Sequence, residues 1–383
     1  MPRNPSNPLA PVTERAMPEP TLRVVFADYK RMRRIKQATL EQYESQIERC
    51  FPDWWDRDLN DIRKDEILDR HLELSNRNGP RGTGATEANR AFAVLRAVYR
   101  FAEGRYEDAR LEPVIRRNPV AALTACKAWN KSKRRSSIIP RHQMKAWFQA
   151  VQQYRNDSVR DYLTFIYLTG CRRTEAVTLR WSWVDLEAGI IAFPPEAVKN
   201  ATEFILPLSG YLLHMLKARQ ARADKDPIWV FPGGVKGQHL SNRLKITDKI
   251  YARTGISWTV HDLRRGFATV ANSCISSDLV LKRLLNHKTA SQDVTAGYVI
   301  TDPETLRPHV EKVAELILGY SGYKFVPHVG LVPIEKAAQV ESQIQEDALL
   351  AALRKLDKET LQAIAAGATA TVKDNVVSFA RRA

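Results

Sequence analysis

Cysteine is scarce in this 383-residue chain: Cys50, Cys126, Cys171 and Cys274 lie far apart and form no Cys-x-x-Cys pair. This spacing suggests neither a zinc site nor a disulfide framework, and a reducing compartment is expected. Long apolar runs are missing as well. No stretch approaches the ~18 consecutive apolar residues of a membrane span, and the first 20 residues hold no apolar signal core, so a cytoplasmic protein with no membrane contact is expected. Acidic residues are in deficit, with 43 Asp and Glu against 59 Lys and Arg, a net charge of +16. The excess sits in the body of the chain, where residues 21–300 carry 47 basic against 30 acidic side chains. A positive globular body with interspersed acids suits a polyanion-binding surface better than a basic tail does, which makes nucleic acid the first partner to consider. No internal repeat is present.

Six prolines in residues 1–20 deny that segment backbone donors and helical dihedrals, and order is expected to begin near Thr21. From there to residue 128 the apolar spacing is helical, as in Leu22, Val25, Phe26 and Tyr29 and again in Ala91, Val94, Leu95, Val98 and Phe101. Gly79 to Gly84 (GPRGTG) reads as a loop. The expected linker, residues 129–139, holds the run Lys131 to Ser137, with Lys131, Lys133, Arg134 and Arg135 and no apolar face, as expected of a segment crossing phosphate. From 140 to 320 helical segments enclose short β-rich runs at Ile190–Phe193 and Phe204–Leu206. The helices are predicted at Tyr211 to Arg222, Leu240 to Arg253, His261 to Cys274 and Leu279 to Leu285. Two more are predicted beyond, at Gln339 to Leu356 and Lys358 to Ala366, in a C-terminal extension (321–383) of unassigned role. The fold class is therefore mainly α with a small antiparallel β-sheet.

Five pieces carry the chemistry: TGCRRTEAVTLRW from Thr169, Lys199 before a strand, HDLRRGFAT from His261, LLNHK from Leu284 and TAGYV from Thr295. In this order they resemble the tyrosine recombinase (phage integrase) family, with a resemblance that spans about residues 21–320 and is more specific in the second half. Carried over residue by residue, the resemblance implies catalytic roles for Arg172, Lys199, His261, Arg264, His287 and Tyr298. It also implies a buttressing acid at Glu175, and a helical core-binding domain joined to a catalytic domain as a clamp on duplex DNA.

The chemistry accounts for these residue types. A phosphodiester repels an incoming oxygen nucleophile, and its transition state gathers charge on the non-bridging oxygens. Planar guanidiniums, charged at every physiological pH, suit that charge. The i, i+3 spacing of His261 and Arg264 sets imidazole and guanidinium on one helix face. A tyrosine with an unperturbed pKa near ~10 needs cations close by to lose its proton. A flexible lysine at a hairpin tip can protonate the leaving 5′ oxygen.

The resemblance further implies a 3′-phosphotyrosine intermediate, no metal, no ATP or other cofactor, and a tetramer on double-stranded attachment sites in the nucleoid, with accessory directionality or bending proteins as further partners. Arg90 is a candidate DNA contact at a helix start. Asn286 stands where many relatives carry glycine, and asparagine tolerates the left-handed conformations that glycine adopts. Only 20 proline-rich residues precede the first helical segment, so arm-type DNA binding is not expected. Leu306 to Leu318 places Val310, Val313, Leu316 and Ile317 on one face, suited either to a neighbouring protomer or to the chain's own core. The rival readings are a type IB topoisomerase-like relaxase, an Xer-like or transposon-type recombinase and a non-catalytic DNA-binding protein of the same fold. A metal-dependent nuclease lacks a carboxylate cluster.

Overall fold

In the computed structural model the described residues are 20–79, 82–108, 110–131, 136–200, 202–224, 227–240, 246–287, 302–354, 368–373 and 376–381. The chain divides into two compact units, Met1–Arg135 and Ser136–Ala383.

The first unit is helical. Helix α1 (Leu22–Met32) is capped by Thr21, whose hydroxyl accepts from the Val24 amide, and it buries Leu22, Val25, Phe26 and Tyr29 at the predicted spacing. Helices α2 (Gln37–Cys50) and α3 (Lys64–Asn76) pack on the 19-residue α4 (Ala85–Glu103). The buried face of α4 mixes small residues, Ala88, Ala91 and Ala102, with large ones, Phe92, Leu95, Val98 and Tyr99. GPRGTG does more than connect, since β1 (Asn78–Gly79) pairs with β2 (Gly82–Thr83). After the short α5 (Ala121–Ala125), Asn130 is pinned to this unit: its amide donates to Asn89 and its side chain to Ser75 and Ala85.

The core of the second unit reaches back to Ile139. Helices α6 (Arg141–Gln152), α7 (Asp157–Thr169) and α8 (Arg173–Val177) lead into an antiparallel sheet of β3 (Val184–Asp185), β4 (Ile190–Phe193) and β5 (Phe204–Pro207). Helices α9 (Gly210–Gln220), α10 (Ile246–Thr254), α11 (Val260–Cys274) and α12 (Asp278–Leu284) follow. Of the helix predicted from Leu240 to Arg253, Leu240 itself is not helical and donates its amide to the Phe231 carbonyl at 3.0 Å, residues 241–245 lie outside the described residues, and the helix is seen from Ile246.

Helix α13 (Pro303–Tyr320) buries Val310, Val313, Ala314, Ile317 and Leu318 in the chain's own core. The apolar face offered to a neighbouring protomer is thus filled in cis. Arg307 fastens this helix to the sheet by donating to the carbonyls of Ala188, Gly189 and Leu208.

A hairpin that the sequence reading passed over, β6 (Tyr323–Val326) with β7 (Gly330–Pro333), comes next. Helix α14 (Ile334–Leu353) begins directly after Pro333, earlier than predicted, and the helix predicted at 358–366 falls outside the described residues. Strands β8 (Ala368–Lys373) and β9 (Val376–Arg381) form a last hairpin. Among the described residues no helix is long and apolar enough to cross a membrane.

Candidate active site

Helix α7 is buried almost all round and stops at Gly170, whose φ of 65° lets the chain leave the helix towards Arg172. Arg172 immediately precedes α8. Glu175, in the first turn of that helix and 2% exposed, accepts twice from Arg172: from its amide at 2.9 Å and from Nη1 at 2.8 Å. An acid here suits a helix N-terminus and at the same time orients the guanidinium. The remaining Nη2 donates to the Asn286 carbonyl at 2.8 Å. Glu175 therefore lies against Arg172 and fixes its guanidinium.

Arg264 lies one turn into α11 and is 7% exposed. Its Nη1 donates to the Gly170 carbonyl and its Nη2 to the Leu285 carbonyl at 2.6 Å. Burial lowers the pKa of Arg264, and the nearby positive charge of Arg172 lowers it further. Two guanidiniums held this close repel each other, and an anion between them relieves that repulsion. Cys171, between Gly170 and Arg172, is no nucleophile: burial, followed by the Glu175 charge, pushes its thiol up to about 12.

The start of α11 is anchored by Asp262, 1% exposed, which accepts from the Thr259 amide and hydroxyl, from Ser137 Oγ and from Arg265 Nη1, all within 2.9 Å. With Asp262 buried, the neighbouring His261 is turned to the exposed side. Desolvation lowers the His261 pKa, as do the Arg265 and Arg264 charges. His287 is exposed at the end of the α12 turn, its amide bonded to the Lys282 carbonyl at 2.9 Å. Desolvation lowers its pKa too, together with Arg264 and Arg172. Arg264 thus acts on both imidazoles, joined by Arg265 at His261 and by Arg172 at His287, and both favour the neutral form at pH 7.

Asn286 takes φ 45°, the left-handed conformation anticipated for a residue standing in for glycine. Lys199 is exposed in the turn between β4 and β5, and its neighbour Asn200 donates Nδ2 to the Asn286 carbonyl at 2.8 Å. Tyr298 lies outside the described residues, as do Lys133, Arg134 and Arg135. Lys131 is exposed. Arg90 is exposed on α4 and lines a groove of about 920 Å³ between α2 and α4, together with Gln42, Tyr43, Gln46 and Arg49. A separate cleft of about 730 Å³ in the first unit is lined by Arg63, Lys64, Arg116 and Arg117.

The structure brings together Arg172, Glu175, Arg264, His261 and His287, and it adds Asn200, Asn286 and Asp262. Asp262 had a signal in the sequence: Thr259-x-x-Asp262 is a helix-capping pattern. Asn200 had none. Among the described residues no group of three His, Cys, Asp or Glu side chains could hold a metal ion.

Residues 138–302 match the profile of the Phage integrase family. Prophage integrase IntF of Escherichia coli is 26% identical over 291 residues, covering 66% of this chain and 62% of the relative. Prophage integrase IntZ of the same organism is 26% identical over 236 residues, 61% of this chain and 54% of the relative. The matches thus span between half and two thirds of those two relatives. Tyrosine recombinase XerC of Xylella fastidiosa is 27% identical over 229 residues, 58% of this chain and 71% of the relative. A lambda integrase dimer bound to a COC′ core site superposes with a TM-score of 0.54 at 23% identity, over 72% of this chain and 76% of that one. The Tn1549 transposon integrase in complex with circular intermediate DNA superposes with a TM-score of 0.54 at 14% identity, over 76% and 99%. The mostly helical fold is the fold of these integrases. With the ordered motifs, the matched profile identifies a tyrosine recombinase, or phage integrase, family domain at residues 138–302.

Proposed function

We propose that the chain is a site-specific DNA recombinase, an integrase that cleaves and rejoins strands through a covalent 3′-phosphotyrosine on Tyr298 and serves integration or excision of a mobile element such as a prophage or genomic island. The observation that carries this reading is the guanidinium pair of Arg172 and Arg264, with two neutral-leaning imidazoles, His261 and His287, near Arg264. In the reaction, His261 takes the phenolic proton of Tyr298 and the phenolate oxygen attacks phosphorus. The bond to the 5′ oxygen breaks, and Lys199 gives that oxygen a proton. Arg172, Arg264 and His287 hold the non-bridging oxygens throughout, while Glu175 orients Arg172. Reversal by a 5′ hydroxyl restores the phosphodiester, so neither metal nor ATP enters.

In the same reading, residues 21–128 form a core-type DNA-binding domain and residues 140–320 the catalytic domain. Arg90, Lys131, Lys133, Arg134 and Arg135 contact double-stranded attachment sites. The working form is a tetramer on DNA, in line with the lambda integrase tetramer bound to a Holliday junction, which shares this fold at a TM-score of 0.54. Accessory directionality or bending proteins complete the assembly. The XerC match favours a second reading, Xer-like resolution, which would yield dimer resolution in place of element insertion.

The test is covalent trapping on nicked half-site DNA in EDTA. A denaturing-gel shift in wild type and none in Tyr298→Phe is the expected result. A shift in both moves the nucleophile elsewhere, and no shift in either, on bound DNA, leaves a non-catalytic binding protein.

A further inference from the structure

Lys199 projects from a turn held on both sides of it, by Val198 buried in the core and by the side chain of Asn200. Asn200 Nδ2 lies 2.8 Å from the Asn286 carbonyl and 3.1 Å from Asn286 Oδ1. That same carbonyl accepts from Arg172 Nη2 at 2.8 Å. One main-chain oxygen thus joins the lysine-bearing turn to the first arginine, across 86 residues of sequence from Asn200 and 114 from Arg172. Asn286 is 8% exposed, and among the described residues its Nδ2 meets no acceptor while its Oδ1 accepts from Asn200. A buried donor left unpaired has a cost, which the Oδ1 contact and the left-handed turn offset in part. Glycine would adopt this turn without that cost but would have no Oδ1 to offer Asn200.

We infer that Asn200 and Asn286 form a latch that positions Lys199 against the phosphate clamp, so that its ammonium meets the leaving 5′ oxygen. This rests on the reading of Lys199 as the general acid. The lysine itself is exposed at the end of a flexible stem, and a proton donor that wanders is a poor one: effective catalysis needs the donor within hydrogen-bond reach of the departing atom. The backbone at residue 199 is where that freedom is removed, because the side chain of the adjacent residue is tied to the element that also holds Arg172. Asn200 and Asn286 are positioning residues, and neither needs to touch the DNA.

The test compares single-turnover cleavage of two half-sites, one with the ordinary 5′ oxygen at the scissile bond and one with a bridging 5′ sulfur. A thiolate leaves without being protonated, so a defect in delivering the proton disappears on the sulfur substrate. Wild type, Lys199→Ala, Asn200→Ala and Asn200→Leu are assayed on both, with DNA binding measured by gel shift. The leucine variant fills the same space without a donor and carries the comparison if the alanine variant fails to bind DNA. On oxygen, Lys199→Ala is expected to lose about 100-fold and the Asn200 variants about tenfold, the scale of general acid catalysis and a fraction of it. On sulfur, all are expected within about threefold of wild type. An Asn200 defect that persists on sulfur while that of Lys199→Ala is relieved overturns the latch alone, as does wild-type cleavage of the oxygen substrate by both Asn200 variants. A Lys199→Ala defect that persists on sulfur removes the general acid, and the latch falls with it.

Discussion

Arg264 and Arg172 are bound to consecutive main-chain carbonyls: Arg264 Nη2 to Leu285 at 2.6 Å and Arg172 Nη2 to Asn286 at 2.8 Å. A single peptide step thus sets the spacing of the two guanidiniums. Arg264→Lys cannot reach Gly170 and Leu285 together, since an ammonium lacks the planar fork. The expected result is a loss of cleavage of about 10²–10³-fold, the scale of one preorganised donor. It should be accompanied by a stability loss of about 1–3 kcal/mol from the carbonyls left unpaired in the core. Trapping on half-site DNA and thermal melting separate the two effects.

Gly170 reads out backbone geometry. A Cβ there would lie 2.4 Å from Phe267 Cδ1, at a φ of 65° that other residues resist. Gly170→Ala should cost about 3 kcal/mol, the left-handed penalty plus overpacking. Phe267→Leu in the same chain should return part of it. Urea denaturation of the single and double variants is the check.

The imidazoles set the acid side of the reaction. With their pKa values lowered from the ordinary 6.5, His261 and His287 are neutral at pH 7, and the acid limb of kcat/KM for the free protein is expected below pH 6.5. The sign for stability follows: the unfolded state takes up the protons first, so the stabilisation from these two groups is present above 6.5 and is lost as the pH falls towards their folded values. A limb above 6.5 would mean that a partner has raised them. Single-turnover rates between pH 5 and 8 decide.

The phosphate contacts of the linker are counted by salt. Replacing Lys131, Lys133, Arg134 and Arg135 with alanine should make the slope of log affinity against log salt shallower by up to about 3–4, at roughly 0.9 per phosphate contact. An unchanged slope assigns these residues to solvent. Arg90→Ala, by contrast, should weaken one sequence more than another if the α2–α4 groove reads bases.

Much of this architecture was legible in the sequence because it rests on periodicity and on chemistry that few residue types perform. The faces of α1 and α4 follow the spacing of Leu22 to Tyr29 and Ala91 to Phe101. The α11 boundary and the left-handed turn at Asn286 were equally readable. The Leu306–Leu318 stripe gave the helix but not its partner, because an apolar face looks the same whether it packs in cis or in trans. The β6–β7 hairpin escaped notice because Lys324 interrupts one strand and Gly330 and Pro333 end the other, so neither shows an unbroken β-rich run. The Asn200 tie was invisible, since a polar residue in a turn carries no trace of what it will meet 86 residues later.

The acceptors at Gly170, Leu285 and Asn286 are peptide oxygens, present whatever side chain occupies the position. An alanine scan would therefore be blind to part of this machinery: Leu285 would score as a packing residue and nothing else. Its contribution as an acceptor would surface only in a chain whose amide linkage after residue 285 is replaced by an ester, where the carbonyl accepts more weakly and the side chain is left unchanged.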